Sequence, residues 1–129
     1  MLNFLRRLFS SEARNDKPAG PVLAGAARLA QILCELLDPD RELAPIGSGH
    51  AIYRSFYQLP GLPKIHQHDG DPAQAFGVQK DGRLVIYYTW SSDIGDGLED
   101  PEVHGDPPPV REAAARMAVN FLMYALTRP

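Results

Sequence analysis

A chain of 129 residues with 44 % hydrophobic content has the size of one domain with a modest core, in which roughly two-thirds of the unfolded surface can be buried. One cysteine excludes an intrachain disulfide, and a net charge of -3 offers no basic surplus for a phosphate backbone, so a reducing, cytoplasmic setting without a nucleic-acid partner is expected. No stretch approaches the roughly 18 consecutive apolar residues that suggest a membrane-spanning helix.

In chain order, residues 1–21 predict a short basic segment and a flexible linker. Leu2, Leu5 and Phe9 can share one side of two helical turns with Arg6 and Arg7 on the other, a weak membrane-surface contact at most. Residues 22–129 are expected to form a single domain. Val22, Ala26, Leu29, Leu33 and Leu36 recur at helical spacing and predict a helix over 22–37, stopped by Asp38-Pro39. Cys34 sits beside that stripe, where a thiol is packing rather than a nucleophile. Arg41–Ile46 reads as a short strand, and Ala51–Leu59 is ambiguous between helix and irregular chain.

The flanks of Asp81-Gly82 are strand-like from Ala75 to Lys80 and from Arg83 to Thr89, and that dipeptide suits a two-residue turn of positive φ, so a hairpin is predicted. Leu84–Tyr88 is apolar at every position, which predicts a strand covered on both faces and places 84–90 at the centre of the sheet. Asp106 followed by Pro107, Pro108 and Pro109 is a helix-start signal. Ala114, Met117, Ala118, Phe121, Leu122 and Ala125 then form the apolar stripe of a final helix over 110–127. These elements amount to a small α/β or α+β domain with helices packed on one sheet.

Function is sought in the loop after the apolar strand, because the carboxyl end of a strand in an open α/β sheet faces the ligand crevice. Between Ser91 and Pro109 stand Asp93, Asp96, Glu99, Asp100, Glu102 and Asp106 with no Lys or Arg, so the loop is an acidic, cation-attracting mouth. His66 and His68, two apart, project together if their segment is extended and can close on one metal ion, with His104, Asp93 or Asp96 as further ligands. The competing reading has both imidazoles making turn hydrogen bonds and binding nothing. A calcium loop of the EF-hand kind is not met, since Gly95 stands where a second Asp or Asn ligand is needed. No G-x-S-x-G elbow or phosphate-binding glycine motif occurs, and Tyr53, Phe56 and Tyr57 around Arg54 read as core rather than as a base-stacking surface.

Several segments together, DPDRELAPI from Asp38, GHAIYRSFYQLPGLPKIHQHDG from Gly49 to Gly70, and Asp81 to Leu126, resemble the bacterial domain-of-unknown-function family numbered 4159. That family is grouped with class I glutamine amidotransferase-like, flavodoxin-like domains. The likeness corresponds to the C-terminal half of the family's domain and implies a truncated flavodoxin-like half-domain. The nucleophilic cysteine of the wider superfamily belongs to the other half, so Cys34 is not carried over. The resemblance implies that His50, His66, His68, Asp69, Asp93, Asp96, Glu99, Asp100 and His104 line a site. A half-domain leaves sheet edges uncovered, which implies a homo-oligomer or a partner protein. The expected function is a non-enzymatic binding or interaction domain holding a divalent metal (zinc, manganese or calcium). The alternatives are a metal-dependent hydrolase with Asp93 or Glu99 as general base, and a structural remnant with no ligand.

Overall fold

The computed structural model describes residues 28–29, 32–33, 35–36, 43–66 and 70–127. The chain divides into two compact units, Met1–Leu43 and Ala44–Pro129. In the first unit Arg28, Leu29, Ile32, Leu33, Glu35 and Leu36 are helical, in keeping with the apolar stripe. The segment 1–21, Cys34 and the Asp38-Pro39 stop lie outside the described residues.

The second unit runs β1 (Ala44–Pro45), a 3-10 turn (Ala51–Arg54), β2 (Gln74–Lys80), β3 (Arg83–Trp90), a 3-10 turn (Asp96–Leu98), α1 (Pro101–His104) and α2 (Pro108–Thr127). The strands form an antiparallel sheet in the order β1-β2-β3, with α2 packed on one face, so the fold is α+β. The Asp81-Gly82 hairpin forms as predicted, with φ 51° and 77° at the two turn residues. The position of 84–90 is corrected: among the described residues the middle strand is β2, and β3 lies at the side. The hairpin turn commits β3 to one flank of β2, and β1 takes the other through Ala44↔Gly77 and Pro45↔Phe76. An apolar run reports coverage of the faces and carries no information about order within the sheet. Even that coverage is incomplete, since Val85 is 44 % exposed.

Val78 pairs with Ile86 but Gln79 pairs with Leu84, so Val85 is an extra residue on β3. The bulge reverses side-chain parity, and Leu84 and Tyr87, three apart, both face α2. The Leu84 side chain joins the core, its amide donates to the Tyr124 hydroxyl at 3.0 Å, and the Tyr87 ring lies 5.1 Å from that of Phe121. The Tyr53 and Tyr87 hydroxyls hydrogen-bond at 2.9 Å, and burial pushes the ionisation of both above the ordinary phenol range.

The predicted stripe of α2 is half right. Ala114 and Met117 are fully buried, whereas Leu122 is exposed and the core positions of the C-terminal half go to Asn120 and Tyr124. Asn120, 0 % exposed, accepts from the amides of Phe56 (3.1 Å) and Tyr57 (2.7 Å) and donates to the Tyr57 carbonyl (3.0 Å). These bonds satisfy backbone groups that no regular helix or strand claims. They explain how the ambiguous stretch Ala51–Leu59 holds its place with only a short 3-10 turn of its own. Among the described residues no helix is long and apolar enough to cross a membrane.

Candidate functional site

The segment Pro63–His66 is tied to the chain just beyond β3. The Ile65 amide donates to the Ser92 carbonyl at 2.9 Å, and the buried Ser92 hydroxyl donates to the Pro63 carbonyl at 2.6 Å. Ser91 and Asp93 adopt φ of 52° and 56°, a left-handed backbone that costs a non-glycine residue on the order of 1 kcal/mol and reverses the chain within a few residues. The Asp93 carbonyl then accepts from the Asp96 amide at 3.2 Å and starts the turn Asp96–Leu98. A side chain at Gly97 would place its Cβ 2.6 Å from that of Ala114 and 3.1 Å from Cγ2 of Ile65. Only glycine lets the turn wedge between α2 and Ile65, and this wedge sets Asp96 beside His66.

His66 stands between two carboxylates. Its Nε2 lies 2.9 Å from both oxygens of Asp106, and its Nδ1 lies 3.3 Å from Oδ2 of Asp96. The side chains of His66 and Asp106 are 13 % and 9 % exposed. The hydrogen bond to Asp106, reinforced by the charges of Asp106, Asp96 and Asp93, holds the imidazole above its ordinary value against the opposing effect of desolvation. The His104 ring packs edge-on against that of His66, with centroids 5.1 Å apart, and its Nε2 meets Oε2 of Glu99 at 3.1 Å. One donor atom each from His66, Asp96 and His104 lies within 4.8 Å of the others.

Asp106 can take this role because three prolines come directly after it. A helix-start aspartate ordinarily accepts from amides in the first turn, but Pro107, Pro108 and Pro109 have no N–H, and the amides of Val110 and Arg111 both go to the Pro107 carbonyl. With its usual donors removed, the carboxylate turns to His66. In the sequence Asp106 reads as a helix signal and as one of the six acids of the loop, with nothing that pairs it to His66. The proline run is the clue that its side chain looks elsewhere.

The remaining expected residues fall in different places. Asp93 contributes its carbonyl to the turn and its charge to the surroundings of His66. Glu99 pairs with His104, and Asp100 is exposed at the start of α1 without a side-chain capping bond. His50 stands away from the cluster: its Nδ1 accepts from the Ile52 amide at 3.2 Å and its ring packs on Tyr124. His68 and Asp69 lie outside the described residues. Lys64 donates to the Ser91 hydroxyl at 2.6 Å and to the Asp71 carbonyl, and Ser91 in turn donates to that carbonyl at 3.3 Å. The proton of Ser91 therefore points to a carbonyl and Lys64 acts as a donor, the reverse of a nucleophile and its base.

The family described as "Domain of unknown function (DUF4159)" matches residues 14–126, a stretch that begins ahead of Asp38. No curated protein matches the chain.

Proposed function

The chain belongs to the DUF4159 family, and from that premise we propose that it is a non-enzymatic binding domain in which His66 and the loop beyond β3 together hold a divalent transition-metal ion. The observation that carries the reading is the convergence of His66, Asp96 and His104 within 4.8 Å. A tetrahedral ion with bonds of about 2.1 Å needs donors about 3.4 Å apart, and Nδ1 of His66 and Oδ2 of Asp96 are 3.3 Å apart. Two imidazole nitrogens and one carboxylate oxygen favour zinc over manganese, and both over calcium, which takes oxygen ligands in larger number. Three protein ligands leave coordination positions for water or a partner's side chain.

Metal analysis of the purified chain, followed by thermal melts with added zinc, manganese or calcium, tests this. Binding at 100-fold over the dissociation constant stabilises by about 2.7 kcal/mol, and the shift should vanish in His66→Ala and His104→Ala. A chain that neither retains nor is stabilised by any of these ions has no such site.

Self-assembly belongs to the same proposal. Among the described residues the eight-residue β3 is paired on one side only, and an apolar edge of that length favours pairing with a second copy. Sedimentation showing a monomer at micromolar concentration would remove this part. Kinship with class I glutamine amidotransferase-like domains rests on the likeness over Gly49–Gly70 and Asp81–Leu126. A cytoplasmic setting accords with the single cysteine.

A further inference from the structure

Building on the metal reading, we infer that Asp106 is the positioning residue of the site: by accepting the Nε2 proton of His66 with its carboxylate, it presents Nδ1 of that ring as the ligand nitrogen. The bond runs from one ring nitrogen to both carboxylate oxygens at 2.9 Å, and the opposite nitrogen faces Asp96. When an ion takes the place of the proton on Nδ1, a ring held this way keeps its remaining hydrogen on the Asp106 side and leaves the nitrogen that faces Asp96 free to ligate. Carboxylates that orient metal-bound histidines in this manner fix the tautomer and raise the basicity of the ligating nitrogen.

Three features make Asp106 suited to the task. Its side chain is only 9 % exposed, so few waters compete for the carboxylate. The proline run removes the first-turn amides that would otherwise capture it. It also stands two residues ahead of Pro108, the first residue of the 20-residue α2, so the site is braced against the longest helix of the unit, near the end where negative charge is favoured. Glu99 makes a similar bond to Nε2 of His104, but its side chain is 52 % exposed and belongs to a short surface loop. The orienting role therefore falls mainly on Asp106.

The test is a titration of cobalt(II) into the full-length chain after chelator treatment, read by the visible absorption of the bound ion. It is repeated with His66→Ala, Asp106→Asn and Asp106→Ala. Asp106→Ala is expected to weaken cobalt binding about 10- to 100-fold. Asp106→Asn, which keeps one acceptor oxygen, is expected to recover part of that loss, and His66→Ala should abolish binding. Nitrogen-15 spectra of the His66 ring in the metal-free chain, taken at a pH high enough for the ring to be neutral, give a second measure, with the hydrogen on Nε2 in the native chain and moved toward Nδ1, which faces Asp96, in Asp106→Ala. That measure stands even if Asp106→Ala weakens the fold, because the native chain and Asp106→Asn suffice to read it. If both Asp106 variants bind cobalt as the native chain does while His66→Ala does not, the metal site survives and the role of Asp106 is overturned. A native ring carrying its hydrogen on Nδ1 would overturn it as well. Absence of cobalt binding by the native chain would remove the site and this inference together.

Discussion

The two ends of α2 handle polar groups in opposite ways. Toward its C terminus, Asn120 uses both ends of its amide on the backbone of Phe56 and Tyr57, and Tyr124 receives the Leu84 amide. Ahead of its N terminus, Asp106 bonds to an imidazole whose second nitrogen meets another carboxylate. Backbone partners cannot leave, so the first arrangement fixes shape. Side-chain partners that gain and lose protons can be exchanged for an ion, so the second arrangement can bind. Burial alone does not separate the two, since Asn120 and Asp106 are both nearly inaccessible.

The largest effect is expected from Asn120→Leu. It removes the partner of two part-buried amides and a carbonyl, at about 1–3 kcal/mol for each group left unsatisfied and not relieved by water. A loss on the order of 3 kcal/mol in urea unfolding is expected, with cobalt affinity of the molecules that remain folded unchanged. A loss under 1 kcal/mol would mean that the clamp is dispensable and that the two ends of α2 do not divide shape from binding.

Gly97→Ala joins the two ends of the comparison, because the added methyl would strike Ala114 in the core and displace Asp96 from His66. Overpacking of this kind costs typically 1–3 kcal/mol. Unlike Asn120→Leu, it should also lower metal affinity in chain that is still folded. Native affinity together with reduced stability would show that the wedge serves the core alone.

The smallest effect is expected from Glu99→Gln. An exposed carboxylate–histidine contact contributes under about 1 kcal/mol, so cobalt affinity should change by no more than about fivefold, and the melting temperature of the metal-free chain should hardly move. A loss as large as that of Asp106→Ala would place the orienting role on the outer pair.

How far these features can be read from sequence depends on the distance over which each is decided. The hairpin is legible because Asp81 and Gly82 meet the turn's demand for positive φ by themselves. The final helix is legible from its local period. His66, Asp96 and His104 are legible as donor types, two of them from one loop. Asn120 is not, since an amide at a core position looks like a surface residue until its partner, 63 residues earlier in the chain, is known. The bond of Asp106 to His66 spans 40 residues and is hidden behind a helix-start pattern that is itself correct. The order of strands is misjudged for a related reason: hydropathy measures what covers a strand, and neighbours along the sheet are set by turns and by distant segments.

The bulge at Val85 has a consequence for how this hairpin can change over time. Because Val85 is the extra residue, a single deletion there would leave Leu84 and Tyr87 two apart and, by ordinary strand alternation, still on the face that meets α2, so the core beside Tyr124 would keep its Leu84 while the local kink is lost. Related chains should therefore tolerate both the loss of this residue and varied identities at Val85, whose side chain already looks outward.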